Sequence, residues 1–180
     1  MTGKILGAAM ALGVLLLAGA VSAQETSGNR VAAETDWSVF VESDPKACWA
    51  VSTFKESVNT RDGRVVAVRR GEILLFVSYM PDQGVQGQVS FTGGYPFAPG
   101  SQVEVQIGDE RFSLNTDART NPEMAWAPTS EDDAKLIAAM KRGSDAVLTA
   151  RSARGTTTKD TFSLLGFTAA SDEAKKRCSG

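Results

Sequence analysis

From Trp37 to Leu164 the sequence keeps returning to a period of two. Trp37, Val39 and Val41 share one face of a strand. Cys48, Ala50, Ser52 and Phe54 alternate with Trp49, Val51 and Thr53, and the same spacing recurs in Val85, Gly87, Val89 and Phe91, then Val103, Val105 and Ile107, and finally Ala146, Leu148 and Ala150. Successive side chains of an extended chain point to opposite faces, so each set lines one side of a strand. Ile73 to Tyr79 is apolar at nearly every position, the pattern of a central, buried strand.

The punctuation fits the same reading. Asp44-Pro45, Arg70-Gly71 and Arg154-Gly155 are turn signals between runs. Gly108-Asp109 sends Val103–Ile107 back through Phe112 and Leu114 as a hairpin. Val65 to Val68 and Thr157 to Leu164 read as further strands, and Met124 and Trp126 mark a short one after Asn121-Pro122. Gly93 to Gly100 carries too much glycine and proline for a strand interior and is expected to be a structured loop.

The period lengthens only twice. Ser130 followed by Asp133 resembles a capping box, Ala134, Ile137, Ala138 and Met140 follow at helical spacing, and Gly143 closes the helix. A second helix starts near Phe167 and carries Phe167, Ala170, Ala174 and Cys178 on one face. About nine strands and two short helices, the last C-terminal, with no βαβ alternation, specify a mainly β, antiparallel β-sandwich. Residues 36–180 form its single domain.

The ends set the compartment. Lys4, the apolar run Ile5 to Ala20 and the small residues Val21-Ser22-Ala23 form the three parts of a secretory signal peptide over residues 1–23. A membrane anchor would need an apolar run of roughly 20 residues, so the chain is not expected to be an integral membrane protein after cleavage. Residues 24–35 are polar and aperiodic, and read as a flexible leader. The two cysteines, Cys48 and Cys178, then lie in an oxidising compartment, where a disulfide between them is expected. Free thiols or an intermolecular bond are the alternatives. The bond would tie the terminal helix to an early strand and act as a latch.

Composition narrows the chemistry. The net charge of −2 argues against nucleic acid as a partner. Lys175-Lys176-Arg177, the densest basic run, suits the C-terminal end of a helix dipole. The sequence contains no histidine, which removes the Ser-His-Asp and Cys-His arrangements and imidazole-based zinc sites. Ser52-Thr53-Phe54-Lys55 matches the S-x-x-K motif of penicillin-binding enzymes. That motif works on a helix, where i and i+3 share a face; on a strand they face apart.

The remaining polar groups read more simply. Glu131, Asp132 and Asp133 fall in the first turn of a helix, where negative charge is favourable. Asp117, Asn121 and Glu123 offer oxygens of the kind calcium takes, but without the spacing of a calcium loop. The glycine-rich loop has no G-K-[ST] ending for phosphate. Its Tyr95 and Phe97 are instead candidates for an exposed protein-contact loop, since aromatic residues are common binding anchors. No metal, cofactor or catalytic residue is expected.

Several stretches, taken in order, resemble the invasion-associated locus B family of exported bacterial proteins. They are Asp36-Trp37-Ser38-Val39, Cys48-Trp49-Ala50-Val51-Ser52, Pro99 to Val105, Asp133 to Gly143, and Phe162-Ser163-Leu164-Leu165-Gly166-Phe167-Thr168-Ala169-Ala170. The resemblance implies an immunoglobulin-like sandwich in the periplasm or cell envelope, or secreted, and no catalytic residues. It departs from the family in one respect: many members carry a further cysteine pair in the stretch corresponding to Asn115–Ala127, which has none here. The expected function is therefore that of a non-enzymatic exported protein that binds an envelope protein or cell-surface component. The alternatives are a periplasmic small-molecule or ion-binding module and a histidine-free hydrolase. The sequence fixes no oligomeric state.

Overall fold

The computed structural model describes residues 28–179. Twelve strands and two helices run in the order β1 (Arg30–Glu34), β2 (Trp37–Ser43), β3 (Lys46–Thr53), β4 (Glu56–Arg61), β5 (Arg64–Val65), β6 (Leu74–Met80), β7 (Val85–Thr92), β8 (Gln102–Ile107), β9 (Glu110–Asp117), β10 (Asn121–Trp126), α1 (Ser130–Arg142), β11 (Asp145–Arg151), β12 (Thr157–Ser163) and α2 (Phe167–Cys178). The strands form one antiparallel sheet, ordered β1-β2-β3-β6-β7-β10-β9-β8-β11-β12-β4-β5. No helix among the described residues is long and apolar enough to cross a membrane.

The sheet folds over on itself. β4 follows β3 directly in the chain, yet it pairs with β12 near the far end of the strand order. The chain bends at Phe54 and Lys55, where the Lys55 amide donates to the Thr161 carbonyl at 2.7 Å. Two layers result. Val39, Ala50, Val77 and Phe91 face Val105, Leu114, Leu148 and Phe162 in a common core, all of them buried. Phe91 meets Phe162 edge to face across it, with ring centroids 6.0 Å apart. Alternation therefore places the core where the sequence puts it, and the mainly β, antiparallel sandwich follows.

The helices close the inner face. Buried Phe167, Ala170, Ala174 and Cys178 line one side of α2, as their spacing predicts. Phe167 lies edge-on to Trp37 at 4.8 Å, and the Trp37 indole N–H donates to the Ser163 carbonyl at 3.0 Å. The Tyr79 and Ser171 hydroxyls are bonded at 2.9 Å. Cys48 and Cys178 form the expected disulfide across 130 residues. Gly166 starts this helix at φ 88°, and a Cβ there would lie 1.9 Å from the Glu34 carbonyl oxygen, so only glycine allows the approach. Trp49 follows Cys48 in β3 and lies on the opposite face, its ring parallel to that of Phe40 at 6.1 Å.

Several expectations need correction. The leader 24–35 contains β1, which pairs with β2. It is an edge strand and mostly exposed, so no buried set marks it in the sequence. The signal peptide, 1–23, lies outside the described residues. Val65 to Val68 is not a strand beyond Val65; residues 66–73 form an irregular crossing segment. β4 is a polar strand, Glu56-Ser57-Val58-Asn59-Thr60-Arg61, without a period-two signal. β6 is central, but only one of its faces is fully buried; Leu74 and Phe76 on the other are partly buried. The α1 cap sits one residue early: the Thr129 hydroxyl oxygen accepts from the Asp132 amide. This frees Asp133 to turn inward, where its carboxylate accepts from the Val89 amide at 2.7 Å.

Candidate functional site

Gly93–Gly100 is a structured loop; Pro96, Pro99 and Gly100 are exposed, but its two aromatic residues are not. Phe97 is 2% exposed and packs against Phe91 at 6.0 Å and Tyr95 at 5.3 Å. Tyr95 is only partly exposed, and its hydroxyl is bonded to that of Thr158 at 2.5 Å. The pair thus caps the core rather than presenting two free aromatic anchors. Backbone bonds fix the loop to its neighbours: the Phe97 amide donates to Pro122 at 2.8 Å, Ala98 to Arg151 at 2.9 Å, and Ala153 to Pro96 at 2.8 Å.

What the loop does present is one wall of a cleft of about 430 Å³. The crossing segment 66–73 supplies a second wall, and the turn between β11 and β12 a third. Two glycines bring the first two walls together. The Gly71 amide donates to the Gly94 carbonyl at 2.9 Å, and a Cβ on Gly94, at φ 69°, would lie 2.7 Å from the Gly71 backbone. This close approach sets Arg70 beneath the loop.

Arg70 is the keystone. Its Nε donates to the Gly93 carbonyl at 2.8 Å, and Nη1 donates to Ser57 at 2.9 Å and Asn59 at 3.3 Å. Nη1 and Nη2 grip both carboxylate oxygens of Asp160, at 2.7 and 2.6 Å. The Arg70 side chain is 6% exposed and that of Asp160 is fully buried. The guanidinium also stands 5.0 Å from the centre of the Tyr95 ring, a cation–π contact. Burial raises the Tyr95 phenol above its ordinary value, so it stays protonated at neutral pH. A buried pair of this kind loses hydration on both sides, and its bidentate geometry and extra hydrogen bonds offset that loss.

Around this neutral brace the rim is cationic. Arg61, Arg69 and Arg154 line the cleft, with Glu123 as the one exposed carboxylate among its lining residues. Arg61 donates to the Thr156 hydroxyl at 2.7 Å. Among the described residues, none of these three arginines lies within ion-pair distance of a carboxylate. Exposed Arg69 and Arg154 therefore carry charge at the cleft without a direct ion-pair partner among the described residues.

The other residues singled out in the sequence lie elsewhere or are engaged. Ser52 is buried, and its hydroxyl donates to the Asp36 carbonyl at 2.8 Å. Lys55 is paired with the Asp36 carboxylate, and this contact lowers the carboxyl below its usual range. Asp117 accepts from the Arg119 amide at 2.9 Å and the Thr120 amide at 3.2 Å, closing the turn between β9 and β10. Asn121 pairs opposite it in the ladder, while Glu123 belongs to the cleft. Among the described residues no group of three or more acidic, histidine or cysteine side chains is placed to hold a metal ion.

The arginines of the cleft escaped the sequence reading because Arg70-Gly71 and Arg154-Gly155 look like ordinary turns. One signal was available. Thr158, Asp160 and Phe162 share the inward face of β12, and a carboxylate on that face requires a buried cation.

Comparison with known proteins bears on the fold and the family. Residues 37–175 match the family model described as invasion associated locus B (IalB) protein. The chain belongs to the IalB family. A crystal structure of invasion associated protein B from Bartonella henselae is similar, with a TM-score of 0.55 at 16% sequence identity. The alignment covers 83% of this chain and 98% of that one, and at this identity it speaks for the fold. No curated protein matched the sequence. The IalB match and the disulfide are both in keeping with an exported protein, because such bonds persist in oxidising compartments.

Proposed function

We propose that this IalB-family chain is a non-enzymatic binding protein of the periplasm or cell envelope, and that the arginine-lined cleft holds its partner, an envelope protein or another envelope component. The observation that carries the reading is the uncommitted charge of Arg69 and Arg154 at the mouth of a rigidly braced cavity. Both line a concavity whose walls are fixed by glycine contacts and a buried ion pair. The polar groups of the walls are engaged in holding the structure: the Ser152 hydroxyl accepts from the Thr156 amide at 3.1 Å, and the Tyr95 and Thr158 hydroxyls hold each other. Such a site is built for recognition.

The test is capture from cells. A tagged chain is cross-linked in the envelope and compared with the Arg69→Glu/Arg154→Glu variant, after equal thermal melting of the two has been established. A discrete adduct that the variant loses supports the cleft. The same adduct at equal yield in the variant contradicts it. A second reading, a periplasmic module for small molecules or ions, draws on the cleft's size, which falls within the range of small-ligand pockets. Thermal shift across a panel of calcium, sugars and fatty acids examines it, and a flat response counts against it.

A further inference from the structure

Resting on the reading of the cleft as a binding site, we infer that the group it takes is a phosphate monoester, presented by a small soluble molecule or by a lipid headgroup. The charge count points there. Arg61, Arg69 and Arg154 contribute three positive charges and Glu123 removes one, because Arg70 is already neutralised by Asp160. The two positive charges that remain match a phosphate monoester, which carries roughly −1.5 to −2 near neutral pH. A single carboxylate would leave the cleft with excess charge.

Geometry agrees with charge. Guanidinium groups offer planar pairs of N–H donors that fit the oxygens of a phosphate, and several can share one phosphate. The three come from separate elements: Arg61 from the end of β4, Arg69 from the crossing segment, and Arg154 from the turn between β11 and β12. A cleft lined predominantly by one sign of charge concentrates its field in the opening. Tyr95 and Pro96, also in the lining, offer apolar surface to whatever carries the phosphate.

The whole chain is titrated calorimetrically with glucose 6-phosphate, with glucose as the neutral control, and co-sedimented with phosphatidylcholine vesicles containing phosphatidic acid. The inference expects binding of glucose 6-phosphate, of the phosphatidic acid vesicles, or of both, and none of glucose or pure phosphatidylcholine. Arg69→Gln and Arg154→Gln, each checked to melt like the parent, are each expected to weaken binding about tenfold. Binding of the sugar phosphate assigns a soluble ligand, and binding of vesicles alone assigns a membrane headgroup. Failure of both probes, or undiminished binding by the variants, overturns the phosphate assignment. If neither probe binds but the Arg69→Glu/Arg154→Glu chain still loses its cross-linked adduct, the cleft remains a binding site for another ligand. If that adduct also survives, both readings fail.

Discussion

At the α2 end, Cys178 is bonded to Cys48 among buried Phe167, Ala170 and Ala174. At the cleft, Arg70 is bonded to Asp160 among hydroxyls and carbonyls, with the ring of Tyr95 beside it. Both ties join distant parts of the chain, and both are shielded from water. They differ in what stands behind them. The disulfide is backed by an apolar helix face that would stay buried without it. The ion pair has no such support, since each charge is tolerable in the interior only because of the other. Loss of the latch leaves an apolar face that can still pack, whereas loss of one charge of the ion pair leaves the other buried and unpaired. The binding wall therefore depends most on one buried charge pair, while the helix that covers the core is held by both a bond and an apolar face.

The comparison can be broken by removing each tie in turn. Arg70→Met should have the largest effect, a loss of about 3–5 kcal/mol, because Asp160 is left buried and unpaired. Urea denaturation measures it. An Arg70→Met/Asp160→Leu double variant should recover much of the loss, and recovery of none would show that the network acts through geometry instead of charge. Cys178→Ser should lower stability by about 2–4 kcal/mol. Hydrogen exchange should then rise along α2 and stay unchanged around Tyr95. Faster exchange at the cleft would mean that the two regions are coupled after all.

Smaller substitutions sharpen the contrast. Each region holds one phenol, Tyr79 bonded to Ser171 and Tyr95 bonded to Thr158. Tyr79→Phe and Tyr95→Phe should each cost about 1 kcal/mol. Tyr95→Leu, which removes the ring, should be non-additive with Arg70→Met in a double-mutant cycle, and Tyr79→Leu should not, because only the Tyr95 ring touches the guanidinium. The smallest effects concern pH, and their signs differ. Asp36 is held below the ordinary carboxylate value of 3.8 by Lys55, so its contribution is present above that value and is lost as pH falls through the lowered one. Asp133 is raised above 3.8 by burial, so its contribution is present below that value and is lost as pH rises through the raised one. Asp133→Asn keeps an acceptor for the Val89 amide. It should flatten the decline in stability just above pH 3.8, read from melting curves at stepped pH.

How much of this was legible in the sequence differs between the same two regions. The latch was readable: Phe167, Ala170, Ala174 and Cys178 follow a helical period, and export predicts the bond to Cys48. Local spacing carries all of that information. The cleft was not, because its parts come from five separated segments whose convergence depends on the fold. Arg70-Gly71 and Gly93-Gly94 look like two loops, and only the three-dimensional arrangement shows that their glycines touch. Of the two loop aromatics, Phe97 is buried in the core while Tyr95 lines the cleft, since aromatic residues in a loop serve a core as readily as a partner. β1 was missed for want of a buried face, and β4 because its Ser57 and Asn59 are polar so that they can serve Arg70.

The measurement that tests the account most directly is site-specific photo-cross-linking in living cells. One chain carries the photoreactive residue at Ala153, on the wall of the cleft, and a second carries it at Lys176, on the exposed side of the latched helix. The account predicts a discrete envelope adduct from Ala153 and none from Lys176. Equal adducts from both positions, or one from Lys176 alone, would contradict it.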